Sequence, residues 1–336
     1  ETGMFSRMRS WVDVAPWVRL ARVMRLLASP LYVGIVFVAL AITTLLVGEM
    51  FLFRTLVGPF GLDWLFGLDA WGAKSTDSGA GPTTWYGQWF VAAMLIFIWT
   101  PVMQLTARGG ASLVAGRGLP PLSVIAPLIY RRFLKSTLVW IIPPVCILAL
   151  MFGIYLMRLP AIWFSARWLS VATGWIVGLA CLPVGVLGFG ACFAIPLGLI
   201  AMVTEPDPDP IDSLSRGYEY LFRRPLFLAW YTILGGILLI LFGWLFGGLT
   251  GVMSVAATQI GSIWVLDAVS IHGAGRVIDL LFLSGLMTLF LASLGGIYLL
   301  LRYDAGGQEV EDLWEPAQPA APQLPTLPRE AIGADE

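Results

Sequence analysis

The sequence predicts an all-α protein that crosses a lipid bilayer about six times, and two observations support this fold class. Hydrophobic residues make up 58% of the 336 residues and charged residues only 12%, against roughly 25% charged residues in soluble domains. Several uncharged apolar runs also exceed the ~18 residues that a helix needs to span the hydrocarbon core. We therefore expect a polytopic helical membrane protein.

The N-terminal segment, residues 1–28, is basic and contains no run long enough to span. Residues 16–28 (PWVRLARVMRLLA) have helical periodicity, with Trp17, Leu20, Met24 and Leu27 on one side and arginines on the other. Such a helix either lies on an anionic leaflet or packs as a cytoplasmic helix, and we favour the first interpretation. The predicted lipid contacts of this helix are Arg19, Arg22 and Arg25.

The predicted transmembrane domain covers residues 29–301, and its first two spans lie at about 31–53 and 88–107. Glu49 lies near the far end of the first span. A carboxylate at membrane depth suggests a functional group, but this position favours an interfacial, solvated one. The second span contains Gln104, a polar candidate inside the membrane, and Pro101, which is expected to kink it.

The third and fourth spans are expected at about 137–157 and 169–203. Pro143 and Pro144 interrupt the third. The fourth lies in a run of 35 residues without a charge, which as one straight helix would be about 52 Å long, against a hydrocarbon core of ~30 Å. Its proline and glycine residues predict that it is bent or interrupted.

The stretch before the fifth span, TEPDPDPIDSLSRGYEYLFRRP at 204–225, predicts a short amphipathic helix. Asp209 is a good N-cap and Pro210 suits the first helical position. Apolar residues then recur at helical spacing until Arg223 and Arg224, and Pro225 opens the next apolar run. We interpret this helix as lying in the headgroup boundary, with a solvated loop helix as the alternative.

The same order recurs upstream, because residues 123–140 align with residues 215–232 when one arginine pair is placed on the other. Identity is low, and what recurs is a surface helix, an arginine pair and a span. The chain is thus predicted to contain three units, each a cytoplasmic surface helix followed by a transmembrane hairpin. Both pairs join the predicted lipid contacts: Arg131, Arg132, Arg223 and Arg224.

The last two spans are expected at about 226–248 and 277–301. The polar stretch between them, which includes Gln259, is interpreted as an outer surface or re-entrant segment, although a crossing by residues 250–266 stays open. The spans are expected to pack through small residues four positions apart. The candidate pairs are Gly174 with Gly178, Gly243 with Gly247, and Gly247 with Gly251.

The basic residues predict the orientation, and the tail has its own composition. With six spans, 15 Lys and Arg residues fall on one side and five on the other, so the positive-inside rule places both termini in the cytoplasm of a bacterial inner membrane. Residues 302–336 form an acidic, proline-rich cytoplasmic tail that is predicted to be disordered beyond about Pro316. A short helix over 308–314 is one option within it.

Two stretches carry a family resemblance: PIDSLSRGYEYLFRRPL at 210–226 and IYLLLRYDAGGQEVEDLW at 297–314. At these residues the chain resembles a family of uncharacterised multi-pass membrane proteins of planctomycete-type bacteria. The layout is more distantly similar to the membrane domain attached to some glycerophosphodiester phosphodiesterases. The first resemblance implies a similar multi-pass fold, and neither implies catalytic residues.

Residues typical of catalysis, cofactor binding or metal binding are sparse. The single histidine, His272, lies in a predicted loop, and the sequence shows none of the common nucleophile, zinc or phosphate-loop motifs. Glu205, Asp207 and Asp209 could hold a cation, but the prolines between them space the carboxylates apart. We therefore predict no catalytic, cofactor or metal residues and no nucleic-acid partner. The three cysteines are interpreted as small buried hydrophobes: Cys146, Cys181 and Cys192.

Three functions fit this pattern. The favoured one is a non-enzymatic scaffold, assembly factor or accessory subunit whose surface helices contact anionic lipids and whose helices or tail bind a protein partner. The alternative is a transporter or channel for a hydrophobic or lipidic solute, and a lipid-active enzyme is the third. A water-accessible cavity lined by Glu49, Gln104 or Gln259 would favour transport, whereas a closed, glycine-packed bundle would favour a scaffold.

Overall fold

The computed structural model describes residues 15–47, 85–164, 167–263, 268–306 and 309–315, and in these ranges the regular structure is all helical. The predicted all-α fold is therefore confirmed. A 3-10 helix at Pro16–Ala28, called the N-terminal helix below, comes first. The α-helices that follow are α1 (Pro30–Val47), α2 (Trp85–Val114), α3 (Leu122–Phe164), α4 (Arg167–Thr204), α5 (Pro210–Arg223), α6 (Pro225–Ile263) and α7 (Ala268–Gly306).

Five of these helices are long and apolar enough to cross a membrane, namely α2, α3, α4, α6 and α7. The N-terminal helix and α1 meet at a bend of 77° and together form a sixth candidate. The chain is thus a multi-pass membrane protein by the length and composition of its helices. Glu49 and most of the stretch between the first two predicted spans lie outside the described residues, as does the predicted disordered region beyond Pro316.

Three predicted interruptions are wrong, because the helices continue through them, and the alternative that the fourth span is bent stays a prediction. Helix α3 is unbroken at Pro143 and Pro144, and α4 is a single helix of 38 residues despite Pro183 and Pro196. Helix α6 extends to Ile263, so residues 250–263 continue the helix of the fifth span and do not form a separate re-entrant segment. Prolines are tolerated in membrane helices because neighbouring groups satisfy the carbonyls that they release.

The predicted surface helix at 123–136 is also not a separate element, since it forms the first turns of α3. The aligned residues explain the difference. In the downstream copy Arg224 leaves the helical region with ψ 53° immediately before Pro225, as expected for a residue that precedes proline. In the upstream copy Phe133 occupies the place of Pro225, and the helix continues.

The N-terminal helix buries a different face from the one predicted. Its buried residues are Leu20, Val23 and Leu26, which recur every three positions, whereas Trp17 is exposed. A 3-10 helix has three residues per turn, so side chains three apart lie in one column. The arginines of this helix, which are also three apart, form a second column.

Packing is concentrated at one end of the bundle, called the tail end, where α2 and α4 end, α5 lies and residues 309–315 fold back. Helices α2 and α7 approach most closely there. A Cβ atom on Gly110 would lie 2.1 Å from the Ala292 carbonyl oxygen, and one on Gly295 would lie 2.0 Å from the Ala107 carbonyl oxygen. Only glycine allows two backbones to approach this closely.

The predicted glycine pairs are not the ones that pack. No atom of the described chain lies within 4 Å of a Cβ placed on Gly174, Gly178, Gly247 or Gly251, and Gly243 meets only the Leu286 side chain at 3.8 Å. These glycines lie far from the tail end, in the part of the bundle where few helices converge. The four-residue spacing of glycines in the sequence therefore did not identify which glycines lie at a helix–helix interface.

Candidate functional site

Glu205, directly after α4, is the centre of a polar network at the tail end. Only 7% of this residue is exposed. Its Oε1 accepts hydrogen bonds from the hydroxyl of Tyr298 on α7 and from Nη1 of Arg216 on α5, each at 2.5 Å. Arg216 also pairs with Asp212 one turn earlier, at 2.8 Å. One carboxylate therefore joins three elements, and its negative charge is neutralised by a guanidinium.

Arg132 on α3 caps the end of α4. Its guanidinium donates to the carbonyls of Met202 and Glu205, both at 2.8 Å, and to the carbonyl of Pro206 at 2.6 Å. The last carbonyls of a helix have no partner within the helix and form the negative end of its dipole. Arg132 satisfies them, and its guanidinium also lies 4.7 Å from the ring centre of Trp314, a cation–π contact.

Residues 309–315, called the tail segment, are held against the bundle by their backbone. Arg108, which is 3% exposed, donates to the carbonyls of Val203, at 3.0 Å, and of Trp314. Arg302 donates to the carbonyl of Asp312. The tail segment is a turn and not the helix considered for 308–314, with the Asp312 N–H donating to the Glu309 carbonyl at 3.0 Å. Its apolar side chains, Val310 and Leu313, are buried in the core.

Acidic side chains of the tail segment add ion pairs at its rim. Glu311 pairs with Arg19 of the N-terminal helix at 3.0 Å, and Glu315 pairs with Arg117 at 2.6 Å. Arg117 also donates to the Glu311 carbonyl at 2.9 Å. The carboxylates are more than half exposed, so each pair stabilises docking by less than about 1 kcal/mol. Buried apolar contacts and buried backbone bonds hold the segment more strongly.

The second arginine of each pair makes the same kind of contact, although the predicted three-unit repeat itself stays a prediction. Arg132 at the start of α3 caps α4, and Arg224, just before α6, donates to the Asp304 carbonyl near the end of α7. The Asp304 side chain accepts a bond from the Tyr231 hydroxyl at 2.6 Å. In each helical hairpin, the second arginine of the pair therefore lies at the start of the first helix and donates to carbonyls at the end of the second helix.

The charges of α5 are set by its surroundings. Burial disfavours the charged form of Arg216, but the carboxylates of Glu205 and Asp212 outweigh it and raise the guanidinium's pKa. Burial, reinforced by the charge of Glu205, raises the pKa of the Tyr220 hydroxyl. At neutral pH Arg216 therefore stays charged and Tyr220 neutral.

The arginines predicted to contact lipid fall into two groups. The arginines of the first group bond to other parts of the chain. They are the ones described above together with Arg223, which pairs with Glu219 one turn earlier, at 2.7 Å. Arg22, Arg25 and Arg131 form no ion pair or hydrogen bond with the described residues. Arg131 is exposed at the tail end, and the other two line a cavity. Lipid contact remains a prediction for all of them.

The predicted intramembrane polar candidates do not meet. Gln104 is fully buried, and its Nε2 donates to Ser136 at 2.6 Å, while no described group donates to its Oε1. Gln259 lies on the exposed far part of α6, and Glu49 is outside the described residues. His272 lies in the first turns of α7 instead of a loop.

The acidic EPDPDP stretch contributes Glu205 to the network described above. No group of three or more metal-ligating side chains occurs among the described residues. The carboxylate of Glu205 is already bonded to Arg216 and Tyr298, so a cation at this position would have to displace a guanidinium.

Two of the cavities between described residues have contrasting linings. One is an apolar groove of about 500 Å³ between α1 and α2, lined by aliphatic side chains that include Leu31, Ile35 and Val38. The other is a cavity of about 220 Å³ at the tail end, lined by Arg22, Arg25, Leu113, Gly116 and Arg117. The apolar groove suits a hydrocarbon chain, and the arginine-lined cavity suits an anion.

Comparisons with protein-family models, with curated proteins and with solved structures find no match. Function is therefore inferred from the geometry alone.

Sequence reasoning did not single out the residues that hold the tail segment. Arg108 and Arg302 mark the ends of apolar runs, and the acidic stretch after Arg302 was visible, but nothing in the sequence paired them. Tyr298 lies inside an apolar run and carries no local signal. A charged residue at the end of a span, opposite an acidic segment, is the clue that could have identified these partners.

Proposed function

We propose that this protein is a non-enzymatic membrane scaffold or accessory subunit that binds a protein partner through the far ends of its helical hairpins. The observation behind this proposal is the apolar surface of α4 and α6 beyond the thickness of a bilayer. The surface, called the distal surface, consists of residues 171–182 of α4 and 249–260 of α6.

Helix length supports the proposal. Helix α4 has 38 residues and α6 has 39, so they extend ~57 Å and ~58 Å. At the average tilt of about 20° each still spans more than 50 Å, well beyond the ~30 Å hydrocarbon core. With the tail-end termini at one membrane surface, the distal surface begins ~33 Å from the end of α4 and ~36 Å from the start of α6.

The composition of the distal surface is unsuited to water. Trp175 is 76% exposed and Val252 is 68% exposed, and Leu179, Leu182 and Val255 are also exposed. Large apolar side chains that are exposed outside the hydrocarbon region typically mark protein interfaces. A partner with its own apolar helices or loops would cover these side chains.

The tail end would serve as the fixed base of this scaffold. Its charged side chains are mostly engaged in capping helices and holding the tail segment, which favours a structural role over a conduction path. We place the protein in a bacterial inner membrane, and there the distribution of Lys and Arg favours the tail end and both termini in the cytoplasm. In that placement the N-terminal helix lies at the surface of the anionic leaflet.

Site-directed photocrosslinking in native membranes tests the proposal. A benzophenone amino acid at Leu179 or Val252 should give a discrete protein adduct of the same size and identity from both positions. Ile233, exposed but only about 12 Å along α6, serves as the lipid-facing control and should give lipid adducts only. The partner should also co-purify with the unmodified chain in mild detergent. Lipid adducts alone at all three positions would rule out a partner on this surface.

A second candidate function, transport of a hydrophobic or lipidic solute, is favoured by the aliphatic groove between α1 and α2. Its volume of about 500 Å³ is within the range of small-molecule sites, ≈ 300–1,000 Å³. Uptake of a lipidic tracer into proteoliposomes that is abolished by Gly34→Trp, at a glycine lining the groove with open space around it, would favour transport over a scaffold.

A further inference from the structure

The tail-end cavity is lined mainly by arginines. Its volume is about 220 Å³, and it lies between the N-terminal helix and the end of α2. Arg22 and Arg25 come from the N-terminal helix, and Arg117 comes from the loop after α2. A water molecule takes up ≈ 30 Å³, so the cavity has room for several waters or for an anion the size of a headgroup.

Local backbone geometry brings the three arginines together. The three-residue turn of the N-terminal helix places Arg22 and Arg25 one above the other. Helix α2 ends in a Schellman motif, in which the Gly116 N–H donates to the Leu113 carbonyl at 3.1 Å and the Arg117 N–H donates to the Ser112 carbonyl at 2.9 Å.

Gly116 is the residue that this arrangement requires. Its φ is +79°, a conformation that costs any residue with a Cβ. A Cβ at this position would also lie 3.1 Å from Nη1 of Arg22. The glycine thus turns the chain so that Arg117 faces the N-terminal helix, and it leaves space for the Arg22 guanidinium.

The charges in the cavity are not balanced. Glu315 pairs with Arg117, while Arg22 and Arg25 form no ion pair with any described residue. About two positive charges remain beside a space large enough for an anion. Guanidinium groups bind phosphate through paired N–H donors, and Arg is the residue that proteins favour for this geometry.

We propose that this cavity binds a phosphate group through Arg22, Arg25 and Arg117. The N-terminal helix bends by 77° away from α1, and in the proposed function it lies at the membrane surface, so the cavity beside it would lie at the level of the lipid phosphates. The phosphate could therefore belong to an anionic lipid headgroup or to a free phosphate, since both present the same chemistry. This inference rests on the surface position of the N-terminal helix in the proposed function, and is independent of the distal partner.

Titration calorimetry of the full chain in a neutral detergent, with inorganic phosphate as the probe, tests the site directly. Arg22→Gln and Arg25→Gln should each weaken binding about fivefold, as expected for loss of one charge. Arg131→Gln is the matched control, because Arg131 is exposed at the same end outside the cavity, and it should leave binding unchanged. An equal effect of all three substitutions would mean that only general surface charge acts, and would overturn the proposal.

Nanodiscs distinguish the two sources of the phosphate. If a lipid headgroup is bound, native mass spectrometry should retain phosphatidylglycerol on the wild-type chain and lose it in the Arg22→Gln, Arg25→Gln double variant. If free phosphate is bound, inorganic phosphate should bind equally in nanodiscs made of phosphatidylcholine alone. No binding of either probe would overturn the site. If the N-terminal helix were still protected by lipid in that case, its proposed position at the membrane surface would be retained although the phosphate site was overturned.

Two further variants separate the site from damage to the fold. Glu315→Gln releases Arg117 from its ion pair and should tighten phosphate binding several-fold, a gain that misfolding cannot produce. Unchanged or weaker binding would contradict the role of Arg117. Gly116→Ala removes no charge but crowds Arg22, and it should weaken binding while the melting temperature stays within a few degrees of wild type. Wild-type affinity in this variant would contradict the cavity as the binding place.

Discussion

Glu205 illustrates how one residue can organise a helical membrane protein. Its carboxylate accepts bonds from Tyr298 and Arg216, and its backbone carbonyl accepts one from Arg132. Three helices besides its own are therefore fixed relative to one side chain. Removing a buried partner of this kind leaves the other polar groups unsatisfied, which costs more than the bonds themselves contribute.

At this scale we expect Glu205→Ala to destabilise the protein by about 3 kcal/mol, because a buried tyrosine hydroxyl and a partly buried guanidinium lose their acceptor. Thermal unfolding in detergent should show a melting temperature several degrees lower. Glu219→Ala removes a carboxylate of similar chemistry from an exposed pair with Arg223 and should change stability by less than about 0.5 kcal/mol. Equal effects of the two substitutions would mean that the network does not hold the helices together.

At the scale of elements, helix contacts are decided by a few glycines. Gly110 and Gly295 bring the backbones of α2 and α7 together at the tail end, whereas Gly247 on α6 has no neighbour within 4 Å in the described chain. All three lie within apolar helices of similar composition. Only the first two are needed for the approach of two backbones.

Gly295→Ala should therefore separate α2 from α7 and destabilise the bundle by about 2 kcal/mol, because the added Cβ would overlap the Ala107 carbonyl oxygen. Gly247→Ala is the matched control. It should be neutral or stabilising by up to about 1 kcal/mol, since alanine favours helix more than glycine does. Urea or thermal unfolding of both variants measures the difference, and the opposite order would show that the close α2–α7 contact is not formed.

At the scale of the whole molecule, the C-terminal tail segment is part of the folded body. Buried side chains, backbone bonds to arginines and ion pairs at the rim hold it against the ends of several helices. The tail segment thereby covers the helix ends at the tail end of the bundle. The hairpins extend from this base toward the distal surface, where the proposed partner would bind.

We expect Leu313→Ala to release the tail segment, because Leu313 is 2% exposed and truncation of a buried leucine typically costs 2–5 kcal/mol. Hydrogen exchange of residues 309–315 should become faster, while the helices far from the tail end keep their protection. Glu309→Ala, at an exposed position of the same segment, is the control and should leave the exchange unchanged. Slow exchange in both variants would mean that the segment is held by other contacts.

The sequence by itself determined the helical, multi-pass character of the protein, because span length and the exclusion of charge from hydrocarbon leave a local signature in apolar runs. It also located α5 closely, from its cap, its first-turn proline and the proline that ends it. The apparent breaks at Pro143 and Pro183 were misjudged because proline's effect depends on neighbouring groups that satisfy the released carbonyls.

Only the tertiary structure decided what the polar residues do. Arg132 and Arg224 had the pattern of lipid-facing charges, yet they cap the ends of returning helices that are distant in sequence. The pairing of Glu205 with Tyr298, and of Arg22 with the cavity beside Gly116, depends equally on contacts between remote segments. Local sequence specifies where an apolar helix begins and ends, whereas the partner of a buried charge depends on which helix ends converge in space.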